Sequence, residues 1–182
     1  MDMKYLFRKA APKDIDAVAE IYDKIHTAEE SGELRIGWAR GVYPIRDTAE
    51  DAVRRGDLFL ELSGDNVIVG SAIINQIQVD SYREIPWSAD PPEDQIMVIH
   101  TLVIPPEFGR HGYGEAFVDF YERYAWEKGA PYLRLDTNRI NQSARSMYRK
   151  HGYREAGIVP CTFNGIEGVE LVCLEKHLER KP

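Results

Sequence analysis

Cysteine is scarce: the 182 residues hold only Cys161 and Cys173. Two thiols so placed supply neither a disulfide framework nor a paired metal-ligand spacing. Basic residues are also in deficit, with 23 Lys and Arg against 30 Asp and Glu and a net charge of −7. That balance argues against a general nucleic-acid partner. Nowhere do apolar residues run to the roughly 18 that a membrane span requires. Met1-Asp2-Met3-Lys4 lacks the pattern of a secretory signal. The expectation left by these absences is a reduced, cytoplasmic protein with no metal, membrane or nucleic-acid partner. An acidic surface allows a pocket for a cation, although solubility is its commoner meaning.

What is present is ordinary for a folded domain: 43% hydrophobic and 29% charged residues, expected to form one domain over residues 1–182. Tyr5 to Lys9 reads as a strand. Pro12 starts a helix that sets Ile15, Val18, Tyr22 and Ile25 on one face. Glu29 to Pro44 is irregular, and Thr48 is expected to cap a second helix ending near Gly56. Leu58–Leu62 and Val67–Gln76 read as strands joined by the hairpin turn Ser63-Gly64-Asp65-Asn66. A polar loop, Val79 to Asp94, leads to an apolar strand, Ile96 to Ile104. The helix that follows carries Tyr113, Phe117, Phe120 and Tyr124 on one stripe and stops at Gly129 and Pro131. A strand at Tyr132–Asp136, a helix at Asn141–His151, and strands near Tyr153–Phe163 and Val169–Glu175 complete the order βααβββαβαββ. This is a mixed α/β fold, its sheet mostly antiparallel with one parallel crossover.

The turn Phe108-Gly109-Arg110-His111-Gly112-Tyr113-Gly114 lies between strand and helix, where a phosphate would sit. The first helical N–H groups lack intrahelical partners, and the helix dipole adds positive character there. Glycines let the backbone approach closely, with Arg110 and His111 at the rim. Phe117 occupies the position where a dinucleotide fingerprint needs its third glycine, and no Lys-Ser/Thr follows for a P-loop.

A second segment, Asn141-Gln142-Ser143-Ala144-Arg145-Ser146-Met147-Tyr148-Arg149-Lys150-His151-Gly152-Tyr153, matches the pattern Asn-x-x-Ala-x-x-φ-Tyr-x-x-x-Gly-Phe/Tyr. With the glycine turn and the element order, it resembles the GCN5-related N-acetyltransferase (GNAT) superfamily. The likeness covers Asp57 to Glu175 well and the N-terminal third by element order alone. It implies a central twisted sheet of about seven strands flanked by about four helices. It also implies acetyl-coenzyme A (acetyl-CoA) as cosubstrate, bound by Gly109, Arg110, His111, Gly112, Tyr113 and Gly114 at the pyrophosphate. Backbone groups of Leu102, Val103 and Ile104, together with Asn141, would hold the pantetheine arm. The family's usual loop places Arg or Gln where this sequence has Gly109, with Arg110 beside it.

In such enzymes an amine attacks the thioester directly, so two substrates must be aligned and two protons managed. An alkyl amine with a lysine-like pKa is only about one part in a thousand neutral at pH 7, so a base is needed. His100 is the leading candidate, at a position where some members, notably arylalkylamine acetyltransferases, carry a histidine. Strand alternation puts it on the face of Val98, Leu102 and Ile104, where a packed core histidine is the competing reading. By resemblance, Tyr148 protonates the departing thiolate, helix packing being the alternative. Asn141 could also serve as a helix N-cap.

Candidate walls for the acceptor pocket are Trp38, Tyr43, Tyr82 and Trp87. Glu30, Glu33, Asp80 and Glu84 read as solvated loop acids, and Cys161 as a small buried residue. The expected activity is acetyl transfer to a primary amine of a small molecule through a ternary complex. The rivals are acetylation of a protein or peptide amine and a non-catalytic acyl-CoA sensor. The fold also admits a homodimer paired through its C-terminal strands.

Overall fold

The computed structural model describes residues 6–179, so Tyr5 of the expected first strand lies outside the described residues. Strand β1 (Leu6–Lys9) is followed by helices α1 (Ile15–Glu30) and α2 (Arg46–Arg55). Strands β2 (Leu58–Leu62), β3 (Ile68–Asn75) and β4 (Ile96–Val103) come next, then α3 (Tyr113–Glu127) and β5 (Tyr132–Asn138). Helix α4 (Gln142–Lys150) and the hairpin of β6 (Arg154–Phe163) and β7 (Ile166–His177) complete the chain. The βααβββαβαββ order is the one expected from sequence.

Seven strands form one sheet in the order β1-β2-β3-β4-β5-β7-β6. Every pairing is antiparallel except β4 with β5, which α3 joins by a crossover. Helix α3 packs Phe117, Val118 and Tyr121 against Phe59, Ile99 and Leu133 on one face of the sheet. Val18, Ile25, Ala49 and Ala52 of α1 and α2 cover Leu58 and Leu60 on the other. A third cluster gathers Tyr82, Ile96, Val98, Leu171 and Cys173 beneath the β6–β7 hairpin.

Two features open this sheet where a site can form. Only Ile96, Met97 and Val98 of β4 pair with β5. Beyond Val98 the strands separate, and β5 keeps β7 as its partner to Asn138. The β3 pairing also slips: Ser71 faces Val103 while Ile73 faces His100, so three steps on β4 oppose two on β3. Thr101 absorbs the extra residue at φ 50°, a strained setting for a β-branched side chain, as bulges next to sites often show.

This bulge overturns the expected face of His100. Leu102 packs with Met97 and Ile99 against the α3 cluster, and the Ile104 side chain lies on that side, close to Gly70 and Phe117. His100 points the opposite way. The second helix also starts earlier than expected. Ile45 is its N-cap and Thr48 its third residue, with Thr48 Oγ1 accepting the Ile45 N–H at 3.0 Å. Thr48 thus caps by reaching back. Gly56 terminates the helix in the left-handed region at φ 76°. Cys161 is half-buried rather than enclosed, and Cys173 is the fully buried thiol.

Candidate active site

Two cavities meet at the split between β4 and β5. The larger, a groove of about 1020 Å³, is lined by Leu102, Val103, Ile104, Gly109, Arg110, Gly112, Tyr113, Gly114, Asn141 and Tyr148. Nine of the residues expected to hold the cosubstrate are thereby brought together with Tyr148, by the end of β4, the glycine turn, α3 and α4. His111 is the exception: it is exposed and outside the lining, its ring 6.4 Å from that of Tyr113.

The groove has the features that a pyrophosphate requires. Gly112 is the N-cap of α3 at φ 83°, with no side-chain cap hydrogen bond, a helix start whose dipole suits an anion. A Cβ on Gly114 would approach Met147 Sδ to 3.1 Å, so the absence of a side chain keeps α3 close to α4. Asn141 is the N-cap of α4, its Oδ1 accepting the Ala144 N–H at 3.2 Å. Beyond β4, Lys24 pairs with Glu107 at 2.6 Å, fixing the approach to the turn on α1.

The second cavity holds about 400 Å³ and shares Ile36, Leu102, Asn141, Ala144 and Tyr148 with the groove. Trp38 and Tyr43 line it as expected, but Tyr82 and Trp87 do not. Tyr82 is buried and bonds Asp136 of the lining through its hydroxyl. It stacks edge-on to Trp87, with ring centroids 5.2 Å apart, and Trp87 in turn lies under the Arg134 guanidinium at 4.3 Å. These rings support the wall from behind. Of the loop acids, Glu33 reaches the groove, and Glu30, Asp80 and Glu84 line neither cavity; Glu30 is an exposed partner of Arg40.

Asp136 is the residue sequence reasoning missed. It lines the cavity from β5 and accepts the Tyr82 hydroxyl on Oδ2 at 2.6 Å. Burial pushes its carboxyl up to about 6, partly offset by that hydrogen bond. Tyr148 is buried, stacks edge-on to Tyr153 at 5.5 Å, and reaches both cavities. Burial, then the nearby Asp136 charge, raises its phenol well above the ordinary range. It therefore holds its proton and can donate it.

His100 lines the same cavity, its Nε2 donating to Asn75 Oδ1 at 2.9 Å. Asn75 Oδ1 also accepts the Ile77 N–H at 2.9 Å, and Asn75 Nδ2 donates to Asp57 at 2.9 Å. Burial pulls His100 down to about 4, against a smaller upward pull from Asp57. At neutral pH it is an uncharged, weakly basic member of a polar chain. Tyr43 bonds Thr101 across the bulge, and burial raises it to about 12.

The lid over this cavity is pinned to α1. The Glu29 carboxylate accepts the N–H groups of Ile36 and Gly37 at 2.6 and 2.9 Å, and His26 Nε2 donates to Pro44 O at 2.8 Å. Gly37, at φ 89°, packs so tightly that a Cβ would fall 2.3 Å from Asn138 Nδ2. Among the described residues no cluster of three or more His, Cys, Asp or Glu could hold a metal ion, and no helix is long and apolar enough to cross a membrane.

This split sheet with its glycine turn defines an acetyltransferase class, and sequence comparison agrees. The profile of the acetyltransferase (GNAT) family matches residues 15–153, and the chain belongs to that family of acyltransferase enzymes. No curated protein matches the sequence. Among solved structures, a GNAT-family acetyltransferase from Streptococcus agalactiae is similar, with a TM-score of 0.80 at 21% identity and 98% of each chain covered. One from Listeria monocytogenes follows at 0.71 and 20%, covering 97% of this chain and 99% of that one. The ribosomal-protein-S18-alanine N-acetyltransferase from Escherichia coli also shares the fold, at 0.66 and 14%, covering 98% and 96%.

Proposed function

We propose that the protein transfers an acetyl group from acetyl-CoA to a primary amine of a small molecule, by direct attack in a ternary complex. The observation that carries this reading is Tyr148, shared by the 400 Å³ cavity and the glycine-turn groove, with Asp136 on the lining of that cavity. Acetyl-CoA supplies the thioester. Leu102, Val103 and Ile104 offer backbone groups at the edge of the split sheet for its extended arm, and the uncapped start of α3 takes the pyrophosphate. The small volume of this cavity, about 400 Å³ against about 1020 Å³ for the groove, favours a small acceptor over a protein one.

Asp136 is the proton acceptor in this reading. An ammonium group entering the cavity meets its carboxylate, which a value near 6 leaves ionised at pH 7 yet basic enough to remove a proton. Tyr148, protonated throughout, donates to the leaving sulfur. His100, at about 4, helps to shape the wall and is the weaker base.

Thiol release from acetyl-CoA across a set of amines tests the activity. Tyr148→Phe is expected to lower kcat by about 100-fold or more, the usual scale for a general acid, while coenzyme A binding by calorimetry is unchanged. A fully active Tyr148→Phe enzyme would mean that another group protonates the thiolate.

A further inference from the structure

The polar groups around the acceptor cavity are mostly engaged by the protein itself. Among the described residues, Arg55 is the one Arg or Lys lining it, and its Nε and Nη2 already bond Asp57 at 2.8 and 3.2 Å. Asp57 is buried and also holds Asn75, so this guanidinium is balanced by a fixed partner. Asn75 Oδ1 is taken by His100 and Ile77, and Tyr43 and Thr101 bond each other. Much of the remaining wall is apolar, with Trp38, Ile77, Phe163 and Ile166 facing the space. The two carboxylates on the lining, Asp136 and Asp51, are negative, and Asp51 has only the exposed Arg54 as partner.

We propose that the acceptor is a primary amine on an apolar alkyl or arylalkyl body, with no carboxylate on the amine-bearing carbon. This rests on the acetyltransferase reading above and sharpens it. An ammonium is drawn to Asp136, and the hydrocarbon replaces water against Trp38 and Phe163. A carboxylate on the same carbon would be carried next to Asp136 with no free cation to meet it. Placing an unpaired charge there is costly, and the like charge adds to the cost. The volume of about 400 Å³ suits a body of small-drug size.

The test compares matched pairs at saturating acetyl-CoA: tryptamine with tryptophan, phenethylamine with phenylalanine, and pentylamine with norleucine, with spermidine as the polar polycation. Each amine is expected to exceed its amino acid in kcat/KM by about 100-fold, the scale of an unpaired buried charge, and spermidine to fall below all three amines. Calorimetric titration of the same compounds into protein holding coenzyme A should rank them alike without turnover. An amino acid that equals its decarboxylated partner, or a preference for spermidine, overturns the proposal and leaves the acetyltransferase reading standing. No thiol release from any amine, with coenzyme A bound, overturns both.

Discussion

Asp136 and His100 line one cavity, yet the same surroundings shift their titration in opposite directions. Desolvation penalises the charged form of each, raising the acid to about 6 and lowering the imidazole to about 4. The pH profile therefore separates them. From pH 4 to 8 an alkyl amine stays protonated, so a bend in kcat/KM within that range comes from the enzyme. We expect activity to fall as pH drops through about 6, and Asp136→Asn to lose about 100-fold and the bend with it. A bend near pH 4 that survives Asp136→Asn but is lost in His100→Ala would return the role to His100. The sequence concealed Asp136 for a physical reason. Leu133-Arg134-Leu135-Asp136 alternates like a strand with one wet face, but Tyr82 and Trp87 cover that face from a distant loop. The placement of Asn141 as an N-cap, and of Tyr148 on the helix it caps, was legible because it follows from one short helix and its cap.

At the scale of elements, the segment between α1 and α2 supplies Ile36, Gly37, Trp38 and Tyr43 to the wall of the proposed acceptor cavity. Two sets of bonds hold it, and their strengths differ. Arg40 bonds Glu30 and Thr27 at 2.8 and 2.9 Å and also Asp23, but these partners are exposed, and such pairs contribute about 0–1 kcal/mol. Glu29 accepts two backbone N–H groups of residues that themselves line the cavity. Hydrogen bonds to a charged group are worth about 1.5–3 kcal/mol each. Glu29→Ala is accordingly expected to raise the acceptor KM about tenfold with coenzyme A affinity intact, and Arg40→Ala to change it less than about twofold. Equal effects in steady-state kinetics would mean that the exposed pairs carry the lid. The β4 bulge belongs to this scale as well. Apolar alternation along Ile96–Ile104 predicts the strand correctly, but it carries no mark of the extra residue at Thr101, so it misassigns every side chain beyond that point.

At the scale of the whole molecule, the described residues hold a conflict between burial and charge away from the site. Glu61 on β2 is fully buried, and neither carboxylate oxygen has a hydrogen-bond partner among the described residues. A Cβ on its neighbour Gly70 would lie 3.3 Å from Glu61 Oε2, 3.4 Å from Phe117 and 2.7 Å from Ile104, which shows how apolar the enclosure is. Desolvation alone raises the carboxyl from 4.5 to about 8, so the folded state holds this proton at neutral pH. With the folded value above the unfolded one, the stabilisation is complete below about pH 4.5 and is lost as pH rises towards 8. Asp136, also raised, completes its loss by about pH 6. The lowered acids Asp14 and Glu155 lose their stabilisation only in acid. His100, lowered to about 4, loses its stabilisation as pH falls below about 6.5, so the interval from about pH 7 to 8 isolates Glu61, with an expected slope of up to about 1.4 kcal/mol per pH unit. Denaturant melts across that interval should show wild-type stability falling, and Glu61→Gln, which keeps the shape without the titration, should flatten the slope and be the more stable form at pH 8.5. An identical slope in the variant would place the ionisation elsewhere. Nothing in Leu58-Phe59-Leu60-Glu61-Leu62 forecasts this burial, because β1 and α3 close over that position only when the sheet is assembled.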